Sequence, residues 1–172
     1  MLPKIEKILY ATDLSPNSIY GFRYAIDAAI NHDAGIVILH VFEQLTAAVH
    51  GMLDLYINEE QLRKIREERT AVTRDRIRER LKTFCAEELK DHPEHAEKVA
   101  AIEVCDGFPA EEILSKAEQL NCDIIVMGTH GKGFLANTFL GSTAKRVLRR
   151  TRKPVFIIPL PKKKIDVDSD DF

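Results

Sequence analysis

The sequence predicts an α/β fold: one domain with an open, parallel five-stranded sheet in the order 3-2-1-4-5 and helices on both faces. Three observations predict it. Five short runs are continuously apolar, as strands covered on both sides must be. Segments with apolar residues at helical spacing separate those runs. No hairpin signal joins any two of them, so the connections are crossovers, expected to be right-handed.

Ile8-Leu9-Tyr10-Ala11 is the first strand, ending at Thr12-Asp13. Ser15 is the expected N-cap and Pro16 the expected first residue of a helix carrying Ile19, Phe22, Ile26, Ala29 and Ile30. Gly35 separates it from the second strand, Ile36 to Phe42. Residues 44–57 carry no clear pattern. From Asn58 to about Lys90 the chain is rich in Glu, Arg and Lys, and Leu62, Ile65, Val72, Ile77, Leu81, Phe84 and Leu89 mark an apolar stripe. This predicts a long amphipathic helix whose charges form a solvated face. Asp91-His92-Pro93 stops it. Val99 to Cys105 is the third strand; Gly107 and Pro109 introduce a helix with Ile113, Leu114, Ala117 and Leu120. Cys122 to Met127 is the fourth strand, Ser142 to Arg150 a helix, and Pro154 to Pro159 the fifth strand. The domain is expected to span 1–161. The remainder, 162–172, has blocks of like charge and little to bury, which predicts a disordered tail.

At 172 residues the chain can bury a core without a disulfide or metal staple. Its net charge of −2 gives no overall attraction to nucleic acid or anionic membrane. Cys85, Cys105 and Cys122 are odd in number with no CxxC spacing, so a reducing cytoplasm is the expected setting. No apolar run approaches the ~20 residues needed to cross a bilayer.

The strongest chemical signal lies between the fourth strand and the helix that follows. Gly128, Gly131 and Gly141, then Ser142 and Thr143, place glycines before a helix start. Glycines let backbone N–H groups approach a ligand, and a helix N-terminus offers unpaired donors at the positive end of its dipole. An anion is the expected ligand and a nucleotide the leading candidate. In a 3-2-1-4-5 sheet the topology reverses between strands one and four, where ligands bind at the carboxyl ends. That rule brings Asp13 beside the glycine loop. A P-loop is absent, because Phe134 follows Gly133 where Lys is required. Gly131 to Ala136 matches GxGxxA, but no acidic residue follows ~20 positions on, which disfavours a dinucleotide site.

The pattern Gly128-x2-Gly131-x9-Gly141-Ser142 resembles the ATP-binding signature of the universal stress protein family. The resemblance extends to Ile8 to Ser15, Val37 to Val41, Gly107 to Ala110, Asp123 to Gly128 and Lys153-Pro154-Val155. It implies a Rossmann-like, adenine nucleotide alpha hydrolase-like fold. It also implies that Asp13 contacts the ribose or adenine side of a nucleotide, that the Val41 backbone meets the adenine edge, and that Met127 and Gly128 line base and ribose. Gly131, Gly141, Ser142 and Thr143 are implied to hold the phosphates. A bridging divalent cation, Mg2+ or Mn2+, would sit near Ser142 without a protein metal cage. With Ala11, Thr12 and His130 these are the candidate binding residues for ATP, ADP or AMP. Asp13 has a compatible simpler role in capping the first turn, His130 can equally face solvent, and Lys132 can neutralise phosphate charge.

Other features carry less. The basic cluster Lys145, Arg146, Arg149, Arg150, Arg152 and Lys153 fits a helix C-terminus better than nucleic acid. His92-Pro93-Glu94-His95 is not expected to hold a metal, because proline interrupts it and no further ligands cluster in sequence. No catalytic constellation is evident, so any ATP hydrolysis should be slow. Val155 to Ile158 is apolar and placed at a sheet edge, which, with the resemblance, implies a homodimer through that strand. The expected function is a nucleotide-dependent regulatory module in stress response. The alternatives are a weak ATPase or nucleotidyl-transfer enzyme, and a nucleotide-free dimeric scaffold for protein partners.

Overall fold

The computed structural model describes residues 2–43, 58–129 and 140–159, and excludes the side chains of Glu59 and Leu62. Five parallel strands form one sheet: β1 (Lys7–Ala11), β2 (Gly35–Phe42), β3 (Val99–Asp106), β4 (Ile124–Gly128) and β5 (Val155–Ile158). Their order is β3-β2-β1-β4-β5. β1 is central, with Ala11 opposite both Leu39 and Met127. The predicted α/β class, strand order and parallel sense are those observed. The 162–172 segment lies outside the described residues.

Because both faces are covered, alternate residues of each strand enter different cores. Ile8 and Tyr10 of β1 join Ile36, Ile38, Ile124 and Val126 under α1 (Ser18–His32) and α2 (Glu59–Glu88). Leu9 joins Val37, Leu39, Ile125 and Met127 under α3 (Pro109–Gln119) and α4 (Ser142–Arg150). Burying each such side chain contributes about 1.5–3 kcal/mol. Asp123 anchors the start of the central strand: one carboxylate oxygen accepts from the backbone N–H of Glu6 and of Lys7, both at 2.8 Å. Gly21 lets α1 lie against the Tyr10 ring, since a Cβ there would stand 2.9 Å from Tyr10 Cε2.

Three expectations need correction. α1 begins at Ser18, not Pro16, and its N-cap is Asn17 without a side-chain cap. Leu14 adopts φ 58° and Asp13 holds the Ser15 N–H, so the chain makes a turn before the helix can start. Ser15 contributes through its carbonyl, which accepts from the Ser18 N–H at 2.9 Å and the Ser18 hydroxyl at 2.7 Å. Ile30 faces solvent. The α2 stripe is covered only in its second half: Leu81, Cys85 and Leu89 are buried, whereas Ile65 is 39% and Val72 69% exposed. Asn58 caps this helix by accepting from the Gln61 N–H at 2.8 Å.

Candidate functional site

The site lies at the carboxyl end of the sheet, where the adjacent strands β1 and β4 end and β2 runs on past β1. The last link from β1 to β2 is the Thr12 N–H donating to Leu39 O at 2.9 Å. Backbone groups alternate sides along a strand, so Val41, two residues beyond Leu39, turns its N–H and C=O toward the space β1 has vacated. Val41 lines the resulting cleft.

The chain leaving β1 is tightly held. Thr12 Oγ1 accepts from the Leu14 N–H and Asp13 Oδ1 from the Ser15 N–H, both at 3.1 Å. The buried ring of His40 places Nδ1 2.8 Å from Thr12 O, which fixes an Nδ1–H tautomer donating to that carbonyl. Tyr10 donates its hydroxyl to Ser18 O at 2.6 Å, and burial raises its pKa. Against this order, Asp13 Oδ2 and Ser15 Oγ are buried with no hydrogen-bond partner among the described residues. An unpaired buried acceptor of this kind costs about 1–3 kcal/mol, which a ligand's hydroxyl can recover.

On the other wall, β4 ends at Gly128 and the Thr129 N–H donates to Ile158 O at 3.0 Å. The Gly141 N–H donates back to Thr129 O at 2.7 Å, which sets the start of α4 beside the end of β4. Gly141 is the N-cap and has no side chain to cap the helix, whose first turn carries no acidic residue. The leading N–H groups of α4, at Ser142, Thr143 and Ala144, have no intrahelical acceptor and face the same cleft. The helix ends on Arg149 and Arg150; Arg150 pairs with Glu111, and Lys153 with Glu118 at 3.5 Å, so part of the basic cluster binds α4 and its flank to α3.

The cleft has a volume of about 590 Å³, within the range of small-molecule sites. It brings together Ala11 at the end of β1 with Thr12 and Asp13 just beyond it, Val41 from β2, Met127 and Gly128 from β4, and Gly141, Ser142 and Thr143 at the start of α4. His130 and Gly131 lie outside the described residues. The arrangement is polarised: a carboxylate at one side, apolar surface from Val41 and Met127, and a helix N-terminus at the other. It suits a ligand with hydroxyls, a flat apolar body and an anionic end.

Sequence reasoning gave no site role to His40, Glu43, Pro109 or Ile113, which also line the cleft. A signal existed for His40, a lone polar residue within the apolar run Ile36 to Phe42. Pro109 and Ile113 arrive through α3, whose entry needs Gly107: its φ is +143° and a Cβ there would meet Glu112 Cγ at 2.9 Å. Thiol chemistry is not offered nearby. Burial pushes Cys85 and Cys105 up to about 11, and all three cysteines are free.

Comparison with known proteins agrees with this architecture. The model of the universal stress protein family matches residues 4–159. Universal stress protein MJ0531 of Methanocaldococcus jannaschii is 31% identical over 164 residues, covering 92% of this chain and 84% of that protein. Universal stress protein MJ0577 of the same organism is 29% identical over 153 residues, covering 89% and 94%. The solved structure of MJ0577 superposes with a TM-score of 0.67 at 23% identity, covering 94% of this chain and all of that one. UspA from Lactobacillus plantarum gives 0.63 at 22%, covering 91% and 99%. Among the described residues no helix is long and apolar enough to cross a membrane. The family match spans nearly the whole chain, and the chain belongs to the universal stress protein family.

Proposed function

We propose that the cleft binds an adenine nucleotide, ATP or one of its products ADP and AMP, and that occupancy makes the protein a nucleotide-dependent regulatory module in stress response. The observation carrying this reading is that Asp13, with an oxygen that has no partner among the described residues, and the N-terminus of α4, headed by Gly141, line one cleft. Asp13 suits ribose hydroxyls and would repel phosphate; the α4 N–H groups suit phosphate and add no charge. The exposed backbone edge of Val41 suits the hydrogen-bonding edge of adenine, with Met127 and Ile113 against its faces.

A Mg2+ or Mn2+ ion fits this arrangement only as a partner of the phosphates. The first turn of α4 supplies no carboxylate, so phosphate and water would be its ligands, near Ser142. A universal stress protein with this fold, at a TM-score of 0.51 and 19% identity, has been solved in complex with cAMP. That ligand belongs to that protein and is consistent with a purine reading here. The reading includes a homodimer through β5.

The test is mass spectrometry of small molecules released from the purified protein, followed by calorimetry of stripped protein with ATP, ADP and AMP in magnesium buffer. Adenine nucleotide in the released fraction and saturable heat support the reading. Absence of both rejects it.

A further inference from the structure

A separate group of ligating side chains lies at the other end of the sheet. A short 3-10 helix, Pro93–Lys98, joins α2 to β3 and delivers the chain to the amino end of β3. The cleft opens at the carboxyl ends of the strands. Eight residues of β3 separate the two places, roughly 25 Å at strand rise.

The sequence argues against a metal here because proline interrupts the histidines. The structure reverses that argument. His92 is the N-cap of this 3-10 helix, and Pro93 at its first position presets the backbone for the turn. The His95 N–H donates to His92 O at 3.0 Å, which closes that turn. The rings of His92 and His95 therefore stack, with centroids 5.5 Å apart and 26° between their planes. Glu94 reaches between them: its Oε1 lies 3.3 Å from His92 Nδ1 and 3.7 Å from His95 Nε2. One ligand atom from each of the three residues falls within 4.8 Å of the others.

We propose that His92, Glu94 and His95 form a surface site for a borderline divalent transition metal such as Zn2+. Two imidazoles and a carboxylate are ligands of the right hardness for that class. Around a tetrahedral zinc at about 2.0–2.1 Å, ligand atoms stand roughly 3.3 Å apart, close to the two Glu94 separations already present. The side chains of His92 and Glu94 are mainly exposed, so the remaining adjustment needs only their own rotation. Water completes the coordination. The ion would staple the turn that enters β3, next to the Lys98–Asp33 pair at 2.6 Å that ties the same turn to the end of α1. Nothing in this proposal depends on nucleotide binding.

The test is calorimetry of untagged, nucleotide-free full-length protein titrated with ZnCl2, with thermal melting in parallel. The expected result is one zinc per chain and a melting temperature that rises with zinc. Replacing a direct ligand should weaken binding at least as much as loss of an outer-shell partner does, about 10–100-fold. His92→Ala, His95→Ala and Glu94→Gln should each show that loss, while Asp91→Ala, an exposed neighbour, should not. No saturable heat at submillimolar zinc overturns the proposal. So does binding that survives in the His92→Ala/His95→Ala double variant, since the ion would then sit elsewhere.

Discussion

The His40 ring nitrogen Nδ1 stands 2.8 Å from the carbonyl oxygen of Thr12, so a buried side chain of β2 holds the turn from which Asp13 enters the cleft. The bond spans the point where β1 and β2 separate, and the strand ladder no longer constrains the chain there.

Replacing His40 by Phe keeps a ring in the core and removes the donor. A buried carbonyl left unpaired costs about 1–3 kcal/mol, and that loss should appear in denaturant unfolding. Because the turn also aims Asp13, nucleotide affinity should fall with it. A His40→Phe protein with unchanged stability and unchanged affinity would show that the bond positions nothing.

Asp13→Asn separates folding from binding. The amide oxygen can still accept from the Ser15 N–H, as Oδ1 does now at 3.1 Å. The oxygen replaced is the one with no partner among the described residues. Stability of the ligand-free protein should therefore be equal or slightly higher, while affinity for ATP falls about tenfold, the value of one charge-assisted hydrogen bond. Equal affinity in melting-shift titrations would remove Asp13 from the proposed nucleotide site.

Ser142→Glu places a carboxylate in the first turn of α4, where none stands now. Ser142 is exposed, so no packing is disturbed. The helix dipole should stabilise the ligand-free protein by about 0.3–1 kcal/mol at low salt. The same charge should repel phosphate and weaken ATP binding by about tenfold or more. Opposite signs in melting temperature and affinity are the signature of an anion site; tighter ATP binding would contradict it.

The two halves of α2 should respond differently to truncation. Leu81 is fully buried in the core that α2 shares with α1 and the sheet, and Leu81→Ala should cost about 2–5 kcal/mol. Val72 is mostly exposed, and Val72→Ala should stay within about 0.5 kcal/mol of the parent. A large loss at Val72 in urea unfolding would mean that this stretch of α2 is covered in solution.

The strands were legible because a strand buried on both sides must be apolar throughout, and Ile36 to Leu39 or Ile124 to Met127 can be little else. That Asp13 and Gly141 line one cleft was legible too, because it follows from strand order and not from any local spacing. The start of α1 was hidden because the positive φ of Leu14 carries no glycine or asparagine to announce it. The exposed half of α2 was hidden for a different reason. Helical spacing at Ile65 and Val72 says that one face is apolar, and it does not say that anything lies against it. His40 was visible as an odd residue in its strand, but its acceptor is a backbone carbonyl 28 positions away, and carbonyls leave no mark in a sequence.

Among the described residues β5 pairs only with β4, so its outer edge presents unpaired backbone groups, and Phe156 on that strand is 41% exposed. An apolar edge of this kind favours pairing with a second copy across a two-fold axis. Phe156→Asp sets a like charge on the edge strand of each copy. The side chain is already solvent-accessible, so the monomer should fold as before. Sedimentation should show the parent as a dimer and the variant as a monomer with the same melting behaviour at low concentration. A parent chain that sediments as a monomer would refute the interface, and a variant that stays dimeric would move it to another surface.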